Sequence, residues 1–294
     1  MRIATAPVNW NNPDVPEYRP WLPYRPMMDE FVAAGYDATE WGPGMPEDPD
    51  ELRVALEARG LTMVGAFVGL GFRDAERHDE EMARAMTIAH RLHATGGRLL
   101  IAAEAGDDRR RAEAGHVDES RGLDDGQWLN LAGGLHDLAD AIAPLGMRVV
   151  FHNHVGTYVE TAGETARLLD ETDPARVGWC LDCGHLAYGG GDNLEMLGRY
   201  GGRVAHVHLK DVDGAVLARA KAEGWSFAQA LKAYIFPPLG AGVARVPDVV
   251  DALLAHGYDG WFVIEQDTCE GDPTLLARRN REYLETLLAA AAGR

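Results

Sequence analysis

The sequence predicts an α/β protein in which eight parallel strands alternate with helices and close into a single (β/α)8 barrel. Short β-branched or apolar runs alternate with longer stretches of helical periodicity along the whole chain. A glycine closes several of the helical stretches just before the next strand. No linker interrupts the 294 residues, so we expect one barrel domain covering residues 1–294.

The predicted elements follow one another in regular order. The predicted strands are 3–6, 38–41, 62–68, 98–103, 148–154, 177–182, 204–209 and 261–265. The predicted helices are 27–34, 50–58, 80–93, 128–143, 163–170, 194–200, 247–255 and 275–288. The irregular stretch 106–126 is interpreted as an insertion at the barrel mouth. An open doubly wound sheet is the alternative, but no GxGxxG turn follows the first strand, where a nucleotide-binding sheet would need one.

Composition restricts the expected partners and location. The formal net charge of −18 opposes binding to nucleic acids and acidic membrane surfaces. The longest apolar stretch, 61–72, is shorter than the ~18 residues that a membrane span needs, and Met1 leads into the first strand without signal-peptide features. We therefore predict a cytoplasmic protein that binds neither nucleic acid nor membranes. Three cysteines are too few for a disulfide framework and are expected to be reduced. The oligomeric state stays open, with a homo-oligomer as one alternative.

Ionisable side chains gather at the C-terminal ends of the predicted strands, where a barrel of this type has its active site. They are Glu40, Glu104, His152, His154, Asp182, His185, His206, His208, Lys210, Asp211, Glu265 and Asp267. An unpaired carboxylate inside a barrel is costly unless a cation compensates it. Asp182 and Glu265 are therefore strong candidates for metal ligands.

The seventh strand adds imidazole groups to these carboxylates. His206, His208 and Lys210 share one face because side chains alternate along a strand. Imidazole and carboxylate together suit Mn, Zn, Co, Fe or Ni. For His206 a structural hydrogen bond in the barrel core is favoured over metal binding, and Glu40 or Asp211 could instead form a loop ion pair.

Five segments carry a resemblance to a known family. They are 151–160 (FHNHVGTYVE), 181–192 (LDCGHLAYGGGD), 206–212 (HVHLKDV), 260–267 (GWFVIEQD) and 40–43 (EWGP). With them the chain resembles the xylose-isomerase-like TIM-barrel superfamily of sugar isomerases and epimerases, and most closely its inosose dehydratase group.

The resemblance implies one divalent metal held by a Glu-Asp-His-Glu set from strands five to eight. Asp182, His208 and Glu265 match three of these positions. His152 stands where the family usually has the strand-five glutamate, so we expect Glu160 in the following loop to complete the set, with His152 as the competitor. Mn is the expected ion, with Co, Zn, Fe, Ni and Mg as alternatives. A second departure is Ala241, at a loop position that relatives often fill with an acidic residue.

A metal beside two carboxylates suits abstraction of a proton next to a carbonyl group. The resemblance makes Glu265 or Glu160 the base and His185 a further proton-transfer residue. Substrate contacts are expected from Glu40, Trp41, His152, His154 and Lys210. We predict a metal-dependent isomerase or epimerase of a keto-sugar or keto-polyol, with inosose dehydratase, a lyase, as the alternative. A metal-dependent phosphodiesterase and a non-catalytic sugar-binding barrel are weaker alternatives.

Overall fold

Eight strands hydrogen-bond to their sequence neighbours, and the last pairs with the first, so the sheet closes into a parallel barrel. This computed structural model describes residues 2–293. The strands are β1 (Arg2–Thr5), β2 (Ala38–Trp41), β3 (Thr62–Leu70), β4 (Leu99–Glu104), β5 (Arg148–His152), β6 (Val177–Asp182), β7 (Val204–Leu209) and β8 (Trp261–Ile264). Closure runs in register from Arg2 opposite Trp261 to Thr5 opposite Ile264. The predicted (β/α)8 barrel is confirmed.

Twelve α-helices connect or follow these strands within the described residues. They are α1 (Tyr24–Ala33), α2 (Pro49–Glu57), α3 (His78–Ala94), α4 (Asp108–Ala112), α5 (Asp125–Ile142), α6 (Ala162–Glu171), α7 (Cys183–Tyr188), α8 (Asn193–Tyr200), α9 (Gly214–Glu223), α10 (Phe227–Lys232), α11 (Val246–Ala255) and α12 (Pro273–Ala292). The eight predicted helices correspond to α1, α2, α3, α5, α6, α8, α11 and α12. The short helices α4, α7, α9 and α10 were not predicted.

Local sequence signals account for the boundaries of the long helices. The side chain of Thr161 accepts a hydrogen bond from the backbone of Glu164, whose carboxylate binds back to the Thr161 amide, so α6 begins with a capping box. Gly35 and Gly146 adopt φ values of 95° and 66°, in the left-handed region that lets the chain turn sharply toward the next strand. The helix–glycine–strand pattern in the sequence therefore reflects real chain reversals.

The largest apolar core lies between the outer faces of the strands and the inner faces of the helices. Phe31 of α1, Leu135 of α5 and Phe262 of β8 are fully buried in it. Burying one such side chain contributes about 1.5–3 kcal/mol. This layer fixes the strands, and with them the side chains that point from the strand ends into the barrel mouth.

A second apolar cluster lies over one side of that mouth. This mouth cluster is built from loops rather than strands and consists of Val15, Ala114, Val155, Tyr188, Val212, Ala220, Phe227, Ala230, Leu231, Ile235 and Phe236. Helices α9 and α10, which follow β7, supply several of its members.

No helix among residues 2–293 combines the length and apolar character needed to cross a membrane. All three cysteines are free and buried, as expected from their number.

Candidate active site

The end of β6 positions the first acidic group of the site. One oxygen of Asp182 accepts a hydrogen bond from the backbone N–H of His185 at 2.8 Å, which caps α7. Asn153 holds the same backbone by donating to the carbonyl of Asp182 at 3.1 Å. The second oxygen, Oδ2, has no hydrogen-bond donor among the described residues although it is buried. Its nearest polar neighbours are Nε2 of His152 at 3.4 Å and the ammonium group of Lys210 at 3.7 Å, so its charge is partly balanced while its hydrogen-bonding capacity is unused.

Three further side chains converge on this oxygen. Nδ1 of His208 lies 3.9 Å from Asp182 Oδ2 and 3.4 Å from Oε2 of Glu265. Nε2 of His152 lies 3.4 Å from Asp182 Oδ2 and 3.2 Å from His208 Nδ1. Asp182, His208 and Glu265 each offer an atom within 4.8 Å of the others. Asp182, His208 and Glu265 thus bring two carboxylate oxygens and one imidazole nitrogen together, and His152 adds a second nitrogen beside Asp182 and His208. Mixed oxygen and nitrogen donors fit a divalent transition metal.

Cys180 lies on the same strand as Asp182 and close to His152 and His208. Burial raises the pKa of its thiol to about 11. Because the thiolate is the form that binds metals, Cys180 is a poor ligand beside the carboxylates.

The other nitrogens of the β7 histidines meet Glu40 on β2. Oε1 of Glu40 lies 3.0 Å from Nε2 of His208 and 2.6 Å from Nε2 of His206. Burial by itself would raise the pKa of Glu40, but His208 and His206 lower it to about 2. The hydrogen bond from His206 to Glu40 is of the structural kind that the sequence favours for His206 over metal binding.

Lys210 places one positive charge among the carboxylates. Its Nζ lies 2.7 Å from Asp267, 3.1 Å from Glu265 and 3.1 Å from Nε2 of His185. Burial disfavours the ammonium ion, yet Asp267, Glu265 and Asp182 raise the pKa of Lys210. Burial raises the pKa of Asp267 to about 7, with Lys210 opposing the shift. The pKa of Glu265 is instead well below its usual range, because His208 and Lys210 outweigh the effect of burial.

The neighbouring histidines are neutral. The rings of His154 and His185 lie 3.9 Å apart, between centroids, and Phe227 of the mouth cluster packs against both. Burial lowers the pKa of His154 to about 3 and that of His185 well below its usual value. Neutral imidazoles can exchange hydrogen bonds with hydroxyl groups without adding charge.

A pocket opens above these groups. Its polar wall includes His152, His154, His208, Lys210 and the acidic residues Asp14, Glu40, Glu265 and Asp267. Its apolar wall includes Pro7, Val8, Trp41, Pro43 and Phe67. Phe67 is 46% exposed there, although large apolar side chains are usually buried. Of the residues predicted for substrate contact, Glu40, Trp41, His152, His154 and Lys210 all line this pocket.

Glu160 is placed differently from the prediction. Its buried carboxylate accepts hydrogen bonds from the backbone N–H of Gly115 at 2.7 Å and Gly156 at 2.6 Å, and burial raises its pKa to about 7. Glu160 directly precedes the Thr161 cap of α6, and this position turns its carboxylate toward two loops. Within residues 2–293, Glu160 belongs to none of the side-chain clusters that could bind a metal together with Asp182. His152 lies beside Asp182 and His208 instead.

Asp211 also has a structural position. Its two oxygens accept hydrogen bonds from the backbone N–H groups of Val212, Gly240, Gly242 and Ala244, at 2.9–3.0 Å. The loop ion pair considered from the sequence is therefore replaced by a loop held through its backbone.

The sequence analysis placed Asp267 at the strand ends without giving it a role, and it did not select two further residues that the structure brings to the site, Asn153 and Phe67. Asp267 lies two positions after Glu265, a spacing that could have indicated a shared face beyond the strand end. Phe67 and Asn153 gave no comparable signal, because an apolar strand residue and a lone amide are common in any core.

Comparisons with known proteins agree with this geometry. Residues 28–287 match the family model described as "Xylose isomerase-like TIM barrel". The inosose dehydratase of Geobacillus kaustophilus (strain HTA426) is 35% identical over 295 residues, covering 98% of this chain and 95% of that relative. Because this full-length relative is a named enzyme, the prediction of an enzyme is confirmed.

Solved structures share the fold. L-ribulose 3-epimerase superposes with a TM-score of 0.72 at 16% identity, covering 99% of this chain and 96% of the other. The IOLI protein with a bound zinc atom gives 0.70 at 15% identity, with 99% and 98% covered. The family model spans most of the barrel and the curated relative extends over nearly the whole chain, so the chain belongs to the xylose isomerase-like TIM-barrel family.

Proposed function

We propose that this protein is a metal-dependent lyase that removes water from an inosose, a cyclic keto-polyol. The observation that carries the proposal is the convergence of Asp182 Oδ2, His208 Nδ1 and Glu265 Oε2 beside Lys210. The similarity to a named inosose dehydratase over nearly the full chain supports dehydration more strongly than the isomerisation or epimerisation that we first expected.

The residues fit a divalent metal. Asp182 Oδ2 is buried without a hydrogen-bond donor in the described part of the chain, a state that a bound cation would compensate. Asp182, His208, Glu265 and His152 would hold the ion, and their mixed oxygen and nitrogen donors favour Mn, Co, Zn or Fe over Mg. When bound, the metal would act as a Lewis acid on the carbonyl oxygen of the substrate.

Dehydration also needs a base and an acid, which the protein supplies. Glu265 lines the pocket, and its depressed pKa keeps the carboxylate ionised, so a lone pair is available for the proton from the carbon next to the carbonyl. Because the same low pKa makes Glu265 a weak base, the transfer would depend on the Lewis acid to make that proton more acidic. The raised pKa of Asp267 suits it to protonate the departing β-hydroxyl group as water leaves and a carbon–carbon double bond forms. Lys210 touches both carboxylates and stabilises the charge that moves between them.

His185 has a supporting part in this proposal. Its ring is fully buried behind the pocket and lies 3.1 Å from Lys210. Because an ammonium group can only donate, Nε2 of His185 accepts from Lys210 and holds it in place. We therefore assign His185 to positioning Lys210 and not to direct proton transfer.

The charge of the pocket indicates an uncharged substrate. Among the described pocket residues Lys210 is the one lysine or arginine, whereas Asp14, Glu40, Glu265 and Asp267 are acidic. A phosphate group would meet this negative field without a free cation to bind it. The apolar wall with Trp41 would contact the C–H face of a polyol ring. The same field disfavours a phosphodiester substrate.

The experiment is NMR of an inosose in D2O with the Mn-loaded protein. Dehydration predicts loss of the C–H signals of the two carbons between which the double bond forms, and appearance of an unsaturated ketone. An isomer formed with solvent deuterium but without loss of water would instead establish isomerase or epimerase activity. No change, together with no bound metal, would leave a sugar-binding barrel.

Asp182→Asn tests the metal requirement of the same reaction. We expect the native protein to hold about one divalent ion per chain and Asp182→Asn to lose most of it together with turnover. Asp140→Asn on α5 is the matched control, because Asp140 is exposed and pairs with Arg176 far from the site. Full metal occupancy in Asp182→Asn would contradict the proposed ligand set.

A further inference from the structure

One carboxylate oxygen receives two imidazole groups in the interior of the barrel. Oε1 of Glu40, on β2, lies 3.0 Å from Nε2 of His208 and 2.6 Å from Nε2 of His206, and all three side chains are buried. Strands β2 and β7 are not neighbours in the sheet, so these contacts cross the barrel. A carboxylate can only accept, and both imidazoles therefore present an Nε2–H to Glu40.

The contact determines how His208 faces the rest of the site. An imidazole binds a metal in its neutral form, and a neutral imidazole that donates through Nε2 has its lone pair on Nδ1. Nδ1 of His208 lies 3.4 Å from Glu265 Oε2, 3.9 Å from Asp182 Oδ2 and 3.2 Å from His152 Nε2. The lone pair is thus directed at the point where the other donor atoms converge.

His206 strengthens this arrangement from the same strand. It lies two residues before His208, on the same face of β7, and it makes the shorter of the two contacts to Glu40. The hydrogen bond from His206 holds the Glu40 carboxylate in place beside the His208 ring. Histidine ligands of metals are commonly oriented by such a carboxylate on their second nitrogen, which also makes the ligating nitrogen more basic.

We propose that Glu40 is a positioning residue that fixes His208 with Nε2 protonated and Nδ1 directed at the metal, and that His206 holds Glu40 in place. The inference rests on the metal site of the proposed function. It replaces the direct substrate contact that the sequence suggested for Glu40. It also assigns Glu40 and His206 no metal of their own, because their 2.6 Å separation is a hydrogen-bond distance.

The test compares Glu40→Gln with Glu104→Gln in the full-length protein. Glu104 is a matched control because it is also a buried carboxylate at a strand end. It pairs with Arg73 and with the backbone of Gly106 and Tyr158, and within residues 2–293 it has no hydrogen bond or ion pair to a histidine. Zn²⁺ dissociation constants are measured by competition with a chelator. In the zinc-loaded proteins, ¹⁵N-labelled histidine side chains are observed by NMR.

We expect Glu40→Gln to weaken Zn²⁺ binding by about 10- to 100-fold, because a neutral amide orients and polarises the ring less than a carboxylate. The native protein should show His208 with metal on Nδ1 and a downfield Nε2–H resonance, which moves upfield in Glu40→Gln. Glu104→Gln should leave both readouts unchanged, even where its stability falls.

Three results would overturn the inference. The first is a Zn²⁺ affinity of Glu40→Gln that stays within twofold of the native value. The second is an equal loss of Zn²⁺ affinity in Glu40→Gln and Glu104→Gln, and the third is a metal bound through Nε2 of His208. If Glu40→Gln raised the KM for the inosose and left Zn²⁺ affinity unchanged, Glu40 would instead be a substrate contact. Two metals per native chain would contradict the inference by indicating a second metal site at Glu40 and His206. A native protein that binds no divalent metal would instead contradict the proposed function itself.

Discussion

Histidine residues of this site differ in role according to what their second nitrogen contacts. His208 and His206 both donate toward Glu40, but only His208 has its other nitrogen near the carboxylates of Asp182 and Glu265. Nδ1 of His206 is buried without a hydrogen-bond partner among the described residues. One residue type on one strand face therefore yields a metal-ligand candidate at one position and a structural group two residues earlier.

His152 and Glu160 are the two alternatives for the metal ligand at the end of the fifth strand, and substitutions at these two residues distinguish them. His152 Nε2 lies 3.4 Å from Asp182 Oδ2, whereas the Glu160 carboxylate binds the amides of Gly115 and Gly156. We expect His152→Gln to reduce metal affinity by about 10- to 100-fold. Glu160→Gln should keep native metal content and cost about 1–3 kcal/mol of stability, since one amide N–H loses its acceptor.

Metal analysis and chemical unfolding of both variants check this pair. Loss of metal from Glu160→Gln with full occupancy in His152→Gln would return Glu160 to the ligand set that the family resemblance implied. Measuring both quantities on each variant separates loss of a ligand from loss of folding.

Among the structural elements, the loop after α10 depends on a single side chain. Asp211 follows β7 and accepts four backbone N–H groups, three of them from Gly240, Gly242 and Ala244. Asp211→Asn replaces one accepting oxygen with an NH₂ group, so two of these hydrogen bonds lose their acceptor. We expect stability to fall by about 1–3 kcal/mol and amide exchange to accelerate at residues 240–244.

Hydrogen exchange followed by mass spectrometry checks the location of that effect. Asp213→Asn is the control, since Asp213 caps α9 through the amides of Ala215 and Val216. Asparagine keeps one accepting oxygen and caps helices as well as aspartate does, so this variant should leave both α9 and residues 240–244 protected. Unchanged protection of that loop in Asp211→Asn would show that other contacts hold it.

The strands and the eight helices that alternate with them were predictable from the sequence, but the four additional helices in the segments that follow β4, β6 and β7 were not. The strands 38–41, 177–182 and 204–209 have the predicted bounds, because β-branched or apolar runs ended there in clear turn or polar signals. Helix α7 was not predicted because its N-cap, Asp182, is also the last residue of β6, so no loop separates the strand from the helix. Helix α10 has only six residues and is held by burial of Phe227 and Leu231 in the mouth cluster.

In the candidate site, residues at regular strand ends were predictable from the sequence, whereas a residue in a loop was not. Asp182, His208 and Glu265 could be brought together from the sequence, since each belongs to a regular strand end whose direction the barrel dictates. The position of Glu160 could not, because it depends on the conformation of the loop between β5 and α6 and on the amide of Gly115, 45 residues earlier. Alternation rules do not extend into such loops.

For the whole molecule, Glu160 predicts a pH dependence of stability. Burial raises its pKa from 4.5 to about 7 in the folded protein. The folded state therefore holds a proton that the unfolded chain releases between about pH 4.5 and 7, so this group's contribution to stability is lost as the pH rises through that range. The loss amounts to at most roughly 3 kcal/mol.

Urea unfolding of the metal-free protein and of Glu160→Gln at several pH values measures this effect. Relative to the variant, the native chain should lose stability from pH 4.5 to 7. Glu119→Gln, an exposed change in the neighbouring loop, should follow the native curve. A native chain that gains stability relative to Glu160→Gln over this range would reverse the sign of the prediction.

The mouth cluster joins parts of the chain that are far apart in sequence. Val15 follows β1, Ala114 follows β4, Val155 follows β5, and Val212 and Phe227 follow β7, yet all pack in one apolar unit. These loops therefore cannot be exchanged independently, because a new loop would leave the apolar faces of the others without a partner. Evolution or engineering of a new substrate preference in this barrel would have to change the loops as a co-adapted set, through paired substitutions across the cluster and not through single-loop replacement.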